Sequence, residues 1–191
     1  PLNLKNTVYV SNLPTDVVNK DRLVHSSYQL GDKVLDLYDW SLSNNAGAGS
    51  MLANTEDMNT FYRALFTTNK ILTESHFPEM SSLVDIDGGT AIKTPADSRV
   101  GEAYGLGLLE DDLSKFTVAQ GINLTNYPNL LKNAANYKKL YLYPGATTMG
   151  FVQIYNVQTG TSLMITYNTP SGPGLEKLVF PVLNYLDQAC Q

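Results

Sequence analysis

The residues able to move protons or hold cations are few and unevenly placed. Glu110, Asp111 and Asp112 form an acidic run, Asp85 and Asp87 precede Gly88 and Gly89, the histidines are His25 and His76, and the single cysteine is Cys190. Two carboxylates one residue apart, followed by Gly, could open an oxygen-ligand loop for a hard cation. Such a loop needs a bidentate Glu at its twelfth position, where this chain has Ala96, so the segment reads as a solvated turn. The run from Glu110 to Asp112 reads in the same way as a solvated helix end. One Cys and two His exclude a zinc site of the usual Cys/His kind and any intramolecular disulfide. No metal is expected.

Nucleophilic catalysis needs a Ser or Cys at a strand-to-helix elbow with an imidazole within reach. Neither His25 nor His76 has a companion motif, and both read as helix-surface residues; Cys190 has no histidine near it in sequence and reads as a free thiol. The Gly-containing runs 101 to 107 and 170 to 174 match neither phosphate-loop nor dinucleotide spacing, so no cofactor is expected. A pair of hydrolytic carboxylates can be distant in sequence. A hydrolase with dispersed carboxylates therefore stays an alternative, with Asp85 and Asp112 as the groups to replace and no catalytic residue assigned.

The chain has 191 residues, enough for one substantial core, and reads as a single domain over 1–191, helical over about 15–137 and β-rich over about 138–191. Charged residues make up only 16%, so its polar surface must come from 17 Asn, 17 Thr, 13 Ser and 12 Tyr, a composition suited to wet contact surfaces. The formal net charge of -5 and the lack of a basic stripe argue against a protein that neutralises phosphates. No apolar stretch is long enough for a membrane span, and a soluble chain is expected. Pro1 without a preceding Met fits a trimmed initiator or a cleaved precursor, so the compartment stays open, with a virion or cell surface among the candidates.

These groups must be positioned by recognisable elements. Thr7 to Val10 reads as a strand or extended arm. Asp16 can cap a helix in which Val17, Val24, Tyr28, Leu35, Tyr38 and Leu42 recur at three- and four-residue steps, with Gly31 as a weak point. Asn44 to Ser50 reads as an exposed loop. A second helix starts at the cap Asn54 with Asp57 at the capping-box position, carries Met58, Phe61, Tyr62, Leu65, Phe66 and Leu72 on its apolar face, and stops at Pro78. A third, irregular helix follows Thr94-Pro95-Ala96-Asp97. From Leu140 the pattern alternates, and Gly150 to Val157 and Ser162 to Asn168 read as a hairpin closed by Gln158-Thr159-Gly160. A short helix starts at Pro181, with Lys177 to Phe180 extended before it.

Two local likenesses bear on function. Val8-Tyr9-Val10-Ser11-Asn12-Leu13-Pro14 resembles the first ribonucleoprotein motif of RNA-recognition domains, which implies base stacking on Tyr9. The nearest counterpart of that family's partner motif, Met149 to Tyr155, comes too late and lacks a basic residue, so no nucleic-acid partner is expected and Tyr9 reads as a packing or edge residue. Gly31 to Trp40, Tyr62 to Leu72 and Gly101-Glu102-Ala103 are similar to helical segments of large outer-membrane glycan-binding lipoproteins, which implies saccharide stacking by Trp40 and Tyr38. Those proteins are much longer and carry a lipidated Cys that this chain lacks; read alone, Trp40 is a core residue on a helix face.

The expected fold is α+β, with two to three N-terminal helices packed on a C-terminal antiparallel sheet of three to four strands and a short C-terminal helix. The expected function is non-enzymatic: a structural or assembly subunit of a virion, a phage tail or neck, or a surface filament, associating with itself or with other structural subunits. Asn44, Asn45, Gln158, Thr159 and Gly160 are the first candidate contacts. A saccharide or small-molecule binding module, using Trp40 and Tyr38, is the alternative.

Overall fold

The computed structural model describes residues 2–37, 40–43, 48–85, 89–98, 102–146, 149–169 and 175–189. They fall into two compact units, one of residues 1–62, 144–152 and 164–172 and the other of 63–143, 153–163 and 173–191.

The first unit holds two small β-ribbons. Strand β1 (Val8–Tyr9) pairs antiparallel with β4 (Met51–Leu52), and β2 (Ser27–Leu30) pairs with β3 (Lys33–Asp36). The second ribbon replaces the first helix expected from the sequence. Its reason is the turn: Gly31 adopts φ +57, a left-handed conformation that costs Gly little and reverses the chain at once. Asp16 does not cap a helix; its carboxylate accepts the Leu13 N–H within a single 3-10 turn, Pro14–Asp16. Helix α1 (Thr55–Thr67) begins in this unit, where Asn54 accepts the Asp57 N–H at 2.8 Å. The Asp57 carboxylate reaches across to the Asn6 N–H (2.7 Å) and the Thr7 hydroxyl (2.9 Å), tying the arm before β1 to the first helical turn.

The remaining strands are β5 (Val84–Asp85), β6 (Glu102–Tyr104), β7 (Leu109–Asp111), β8 (Leu140–Ala146), β9 (Gly150–Asn156) and β10 (Ser162–Tyr167). They form an antiparallel six-stranded sheet in the order β10-β9-β8-β7-β6-β5. This overturns the expected sheet of three to four C-terminal strands under N-terminal helices, although the mixed α+β character stands. Three of the six strands lie in the part read as helical. The segment through Gly105 misled because its glycines look like helix weak points, whereas Gly105 permits close backbone approach: a Cβ there would collide with the Met80 carbonyl oxygen, and Leu106 N–H donates to that same oxygen at 2.9 Å.

The helices of the second unit are the end of α1, α2 (Phe77–Met80), α3 (Leu113–Ala119), α4 (Pro128–Lys132) and α5 (Leu175–Ala189). Helix α1 stops at Thr67, well before Pro78, which instead sits in the first turn of α2. The C-terminal helix is not short. It runs for 15 residues through Pro181, which is exposed, while Val179, Phe180 and Leu183 are buried beside it. The Pro ring thus occupies the solvent side, and the buried stripe decides the conformation. Asn184 of α5 accepts the Asn129 and Leu130 N–H groups, at 2.9 and 3.2 Å, and so caps α4 from a distant part of the chain.

Candidate functional site

The register of the sheet sorts its side chains into two faces. Ala103, Glu110 and Tyr141 stand level with one another on β6, β7 and β8, whereas Glu102, Asp111 and Leu140 form the adjacent level and so point the other way. Consecutive carboxylates in the sequence are therefore separated by the thickness of the sheet.

On the first face Glu110 is buried, its side chain 3% exposed, and faces Lys139 with Nζ and Oε2 3.4 Å apart. The ammonium lies 5.4 Å from the centre of the Tyr141 ring. Burial raises the Glu110 carboxyl above its ordinary range, and the attraction of Lys139 does not cancel it. Burial pulls Lys139 down, but Tyr141 and Glu110 outweigh it and leave the ammonium above the usual lysine value. Burial likewise pushes the Tyr141 hydroxyl up, so this tyrosine is a neutral group and not a base. Phe66 packs on Tyr141 and Tyr155 with ring centres 4.7 and 5.1 Å away, and Phe77 meets Phe66 and Tyr141 edge-on.

Those two phenylalanines also line a groove of about 290 Å³ where α1 ends and α2 begins, with Leu65, Leu72 and Pro78. Its charged lining residue is Glu74, which accepts from Asn69 at 3.1 Å. Next to it in the chain, Thr73 Oγ1 and His76 Nδ1 are 2.6 Å apart, and Thr73 Oγ1 is 2.8 Å from Ser75 Oγ. Thr73 also accepts the His76 and Phe77 N–H groups through its carbonyl, so the contact belongs to the turn that starts α2. The result is a small aromatic-floored recess with one carboxylate and one imidazole close by in the chain.

On the second face Asp111 is buried among apolar side chains. It lines a cavity of about 10 Å³, room for about one water, with Leu140, Leu142, Phe116, Phe180 and Leu183. Burial, then the like charges of Glu102 and Glu110, drives its carboxyl well above the ordinary Asp value. Asp112 is spent on structure: its Oδ1 accepts the Ser114 and Lys115 N–H groups and the Ser114 hydroxyl, capping α3.

The sequence-derived candidates fare differently. Trp40 lies outside any helix or strand and is 54% exposed, so it is not a core residue; Tyr38, Asn44 and Asn45 lie outside the described residues. Gln158, Thr159 and Gly160 sit in the β9–β10 hairpin, where Asn156 Oδ1 accepts the Gln158 and Thr159 N–H groups and Gly160 takes φ +70. Asp87 and Gly88 also lie outside the described residues, and among those described no three His, Cys, Asp or Glu side chains converge as metal ligands. Glu110 and Asp111 correct the expectation of a solvated acidic helix end: they form the end of a central strand and are buried. Sequence reasoning passed over Lys139, Tyr141, Phe66 and Phe77 as a group. Part of the signal was present, since alternation from Lys139 places it on the face of Tyr141.

No family model matches the chain, and no curated protein matches it. Among solved structures it is similar to the crystal structure of a D-stereospecific amidohydrolase from Streptomyces sp., with a TM-score of 0.62 and 22% identity. The likeness covers 89% of this chain and 41% of that one, so this chain spans less than half the length of its structural neighbour. Among the described residues no helix is long and apolar enough to cross a membrane.

Proposed function

We propose that this chain acts on amide-bonded substrates, with the groove between α1 and α2 receiving an apolar substituent of the substrate. The observation behind this reading is the fold, shared over 89% of the chain with an amidohydrolase. The groove supports it in kind: it is concave, its floor is held in place by ring packing against Tyr141 and Tyr155, and its few polar groups can orient a ligand. His76, close by in the chain, supplies an imidazole held against Thr73, and Glu74 favours substrates with a free amine.

The test is a panel of D- and L-amino-acid amides, followed by turnover and by chemical-shift changes at Phe66, Leu72 and Phe77. The D series should saturate the groove, and Leu72→Arg should weaken it by about tenfold or more, a loss of about 1.4 kcal/mol. A panel that leaves these resonances unmoved, with no turnover, would overturn the reading.

The assembly reading is favoured by a separate observation: apolar side chains of the ribbons stand in solvent, Val34 at 67% and Met51 at 62% exposure, with Tyr9 opposite Met51. Sedimentation at high concentration tests it, and a strict monomer counts against it.

A further inference from the structure

Asp111 takes no part in the groove. Its carboxyl is 4% exposed, and Oδ1 is buried with no hydrogen-bond partner among the described residues. Its surroundings can be read element by element. Strand β6 sets Glu102 directly opposite it, and β7 adds Glu110 on the reverse face, where Lys139, the residue before β8, lies against Glu110. The 3-10 turn Pro95–Asp97, packed on β6 and β7, brings Asp97, on which Lys115 of α3 acts. Asp112 is engaged by the first turn of α3, and the residues of α5 at the cavity, Val179, Phe180 and Leu183, are uncharged. The charges that weigh most on Asp111 are thus both carboxylates.

We propose that Asp111 is a proton latch on the edge of the sheet: with its carboxyl protonated, β6 stays paired to β7, and loss of the proton releases β5 and β6. An ionised carboxylate in an apolar cavity, facing a second carboxylate, has no compensating partner and must find water. Water can reach it most cheaply by opening the short edge, because β6 meets β7 over three residue pairs and β5 meets β6 over two. The sign follows from linkage. A carboxyl raised in the folded state stabilises pairing below its unfolded value, and that contribution is lost as pH rises through the folded value.

The experiment is amide hydrogen exchange at Val84, Ala103 and Tyr104 as pH is raised stepwise from the acid to the alkaline range, corrected for intrinsic exchange, in the wild type, Asp111→Asn and Glu102→Gln. Wild-type protection should fall by up to about tenfold per pH unit through the transition, the limit for one linked proton. Asp111→Asn should flatten the profile, and Glu102→Gln should move the fall to lower pH and shrink it by removing the like charge. A protonated-carboxyl band in the infrared spectrum just below the transition, retained in Glu110→Gln and absent from Asp111→Asn, is the readout that needs no opening. Protection that ignores pH in the wild type, an unchanged pH profile in Asp111→Asn, or the lack of that band would each overturn the proposal. If Asp111→Asn does not fold, the band and Glu102→Gln still decide.

Discussion

Glu110 and Asp111 are neighbours in the chain and occupy opposite environments in the fold. The face of β7 that carries Glu110 meets Lys139 and a cluster of aromatic rings; the face that carries Asp111 meets α3 and α5 through aliphatic and phenyl side chains. Both carboxyls are raised by burial, but only the first has a cation against it. The difference shows how one strand can hold the sheet to two kinds of neighbour: an ionic and aromatic contact whose strength depends on a partner, and an apolar contact whose strength depends on volume.

The largest effect should come from emptying the apolar face. Phe180 is 1% exposed and packs edge-on against Tyr127, so Phe180→Ala should destabilise by about 3–5 kcal/mol in chemical denaturation. On the ionic face, Lys139→Met leaves Glu110 buried without its cation. A fully buried orphan would cost about 3–5 kcal/mol, but the Lys139 side chain is 42% exposed and screened, so about 1–3 kcal/mol is expected. The pairing is confirmed if Glu110→Gln in the Lys139→Met background recovers stability, since the orphaned charge is then gone. Full additivity of the two changes would sink it.

The pH dependence separates the faces further. Both carboxyls have folded values above their ordinary ones, so each stabilises the fold at acid pH and loses that contribution as pH rises through its folded value. Stability profiles of Glu110→Gln and Asp111→Asn should therefore each lack one part of the fall. Identical profiles would mean that the two faces titrate as one.

Legibility in the sequence followed how locally each element is specified. The β9–β10 hairpin and the Asn54 cap of α1 rest on nearby residues, Asn156 and Gly160 in one case and Asn54 with Asp57 in the other, and they were readable. The N-terminal ribbon was not, because Val24, Tyr28 and Leu35 fit a helical period while the turn at Gly31 decides for strands. The α5 helix was cut short on paper at Pro181, although the buried stripe of Val179, Phe180 and Leu183 carries it through. The candidate site was the least legible. Phe66 and Tyr141 are far apart in the chain, and only strand register brings Lys139 to Glu110; an acidic run in a low-charge chain looks solvated until its strand is known to be central.

The finest probe of the comparison is Tyr141→Phe, because it removes one hydroxyl and leaves the ring. The stacking of Phe66 and the edge contact of Phe77 depend on the ring, so the aromatic half of this face should survive unchanged. The hydroxyl acts on Lys139 and is itself kept neutral by burial, so its loss should cost no more than about 0.5–1.5 kcal/mol, the net worth of a polar contact of this kind. It should also lower the Lys139 value, because in the alkaline range where Lys139 titrates the phenolate of Tyr141 is the stronger of the two charges raising it. Nζ titration by NMR in the variant reads this directly. A Lys139 value that does not move would assign the ammonium to Glu110 alone, and the ionic and aromatic parts of this face would then be independent contacts.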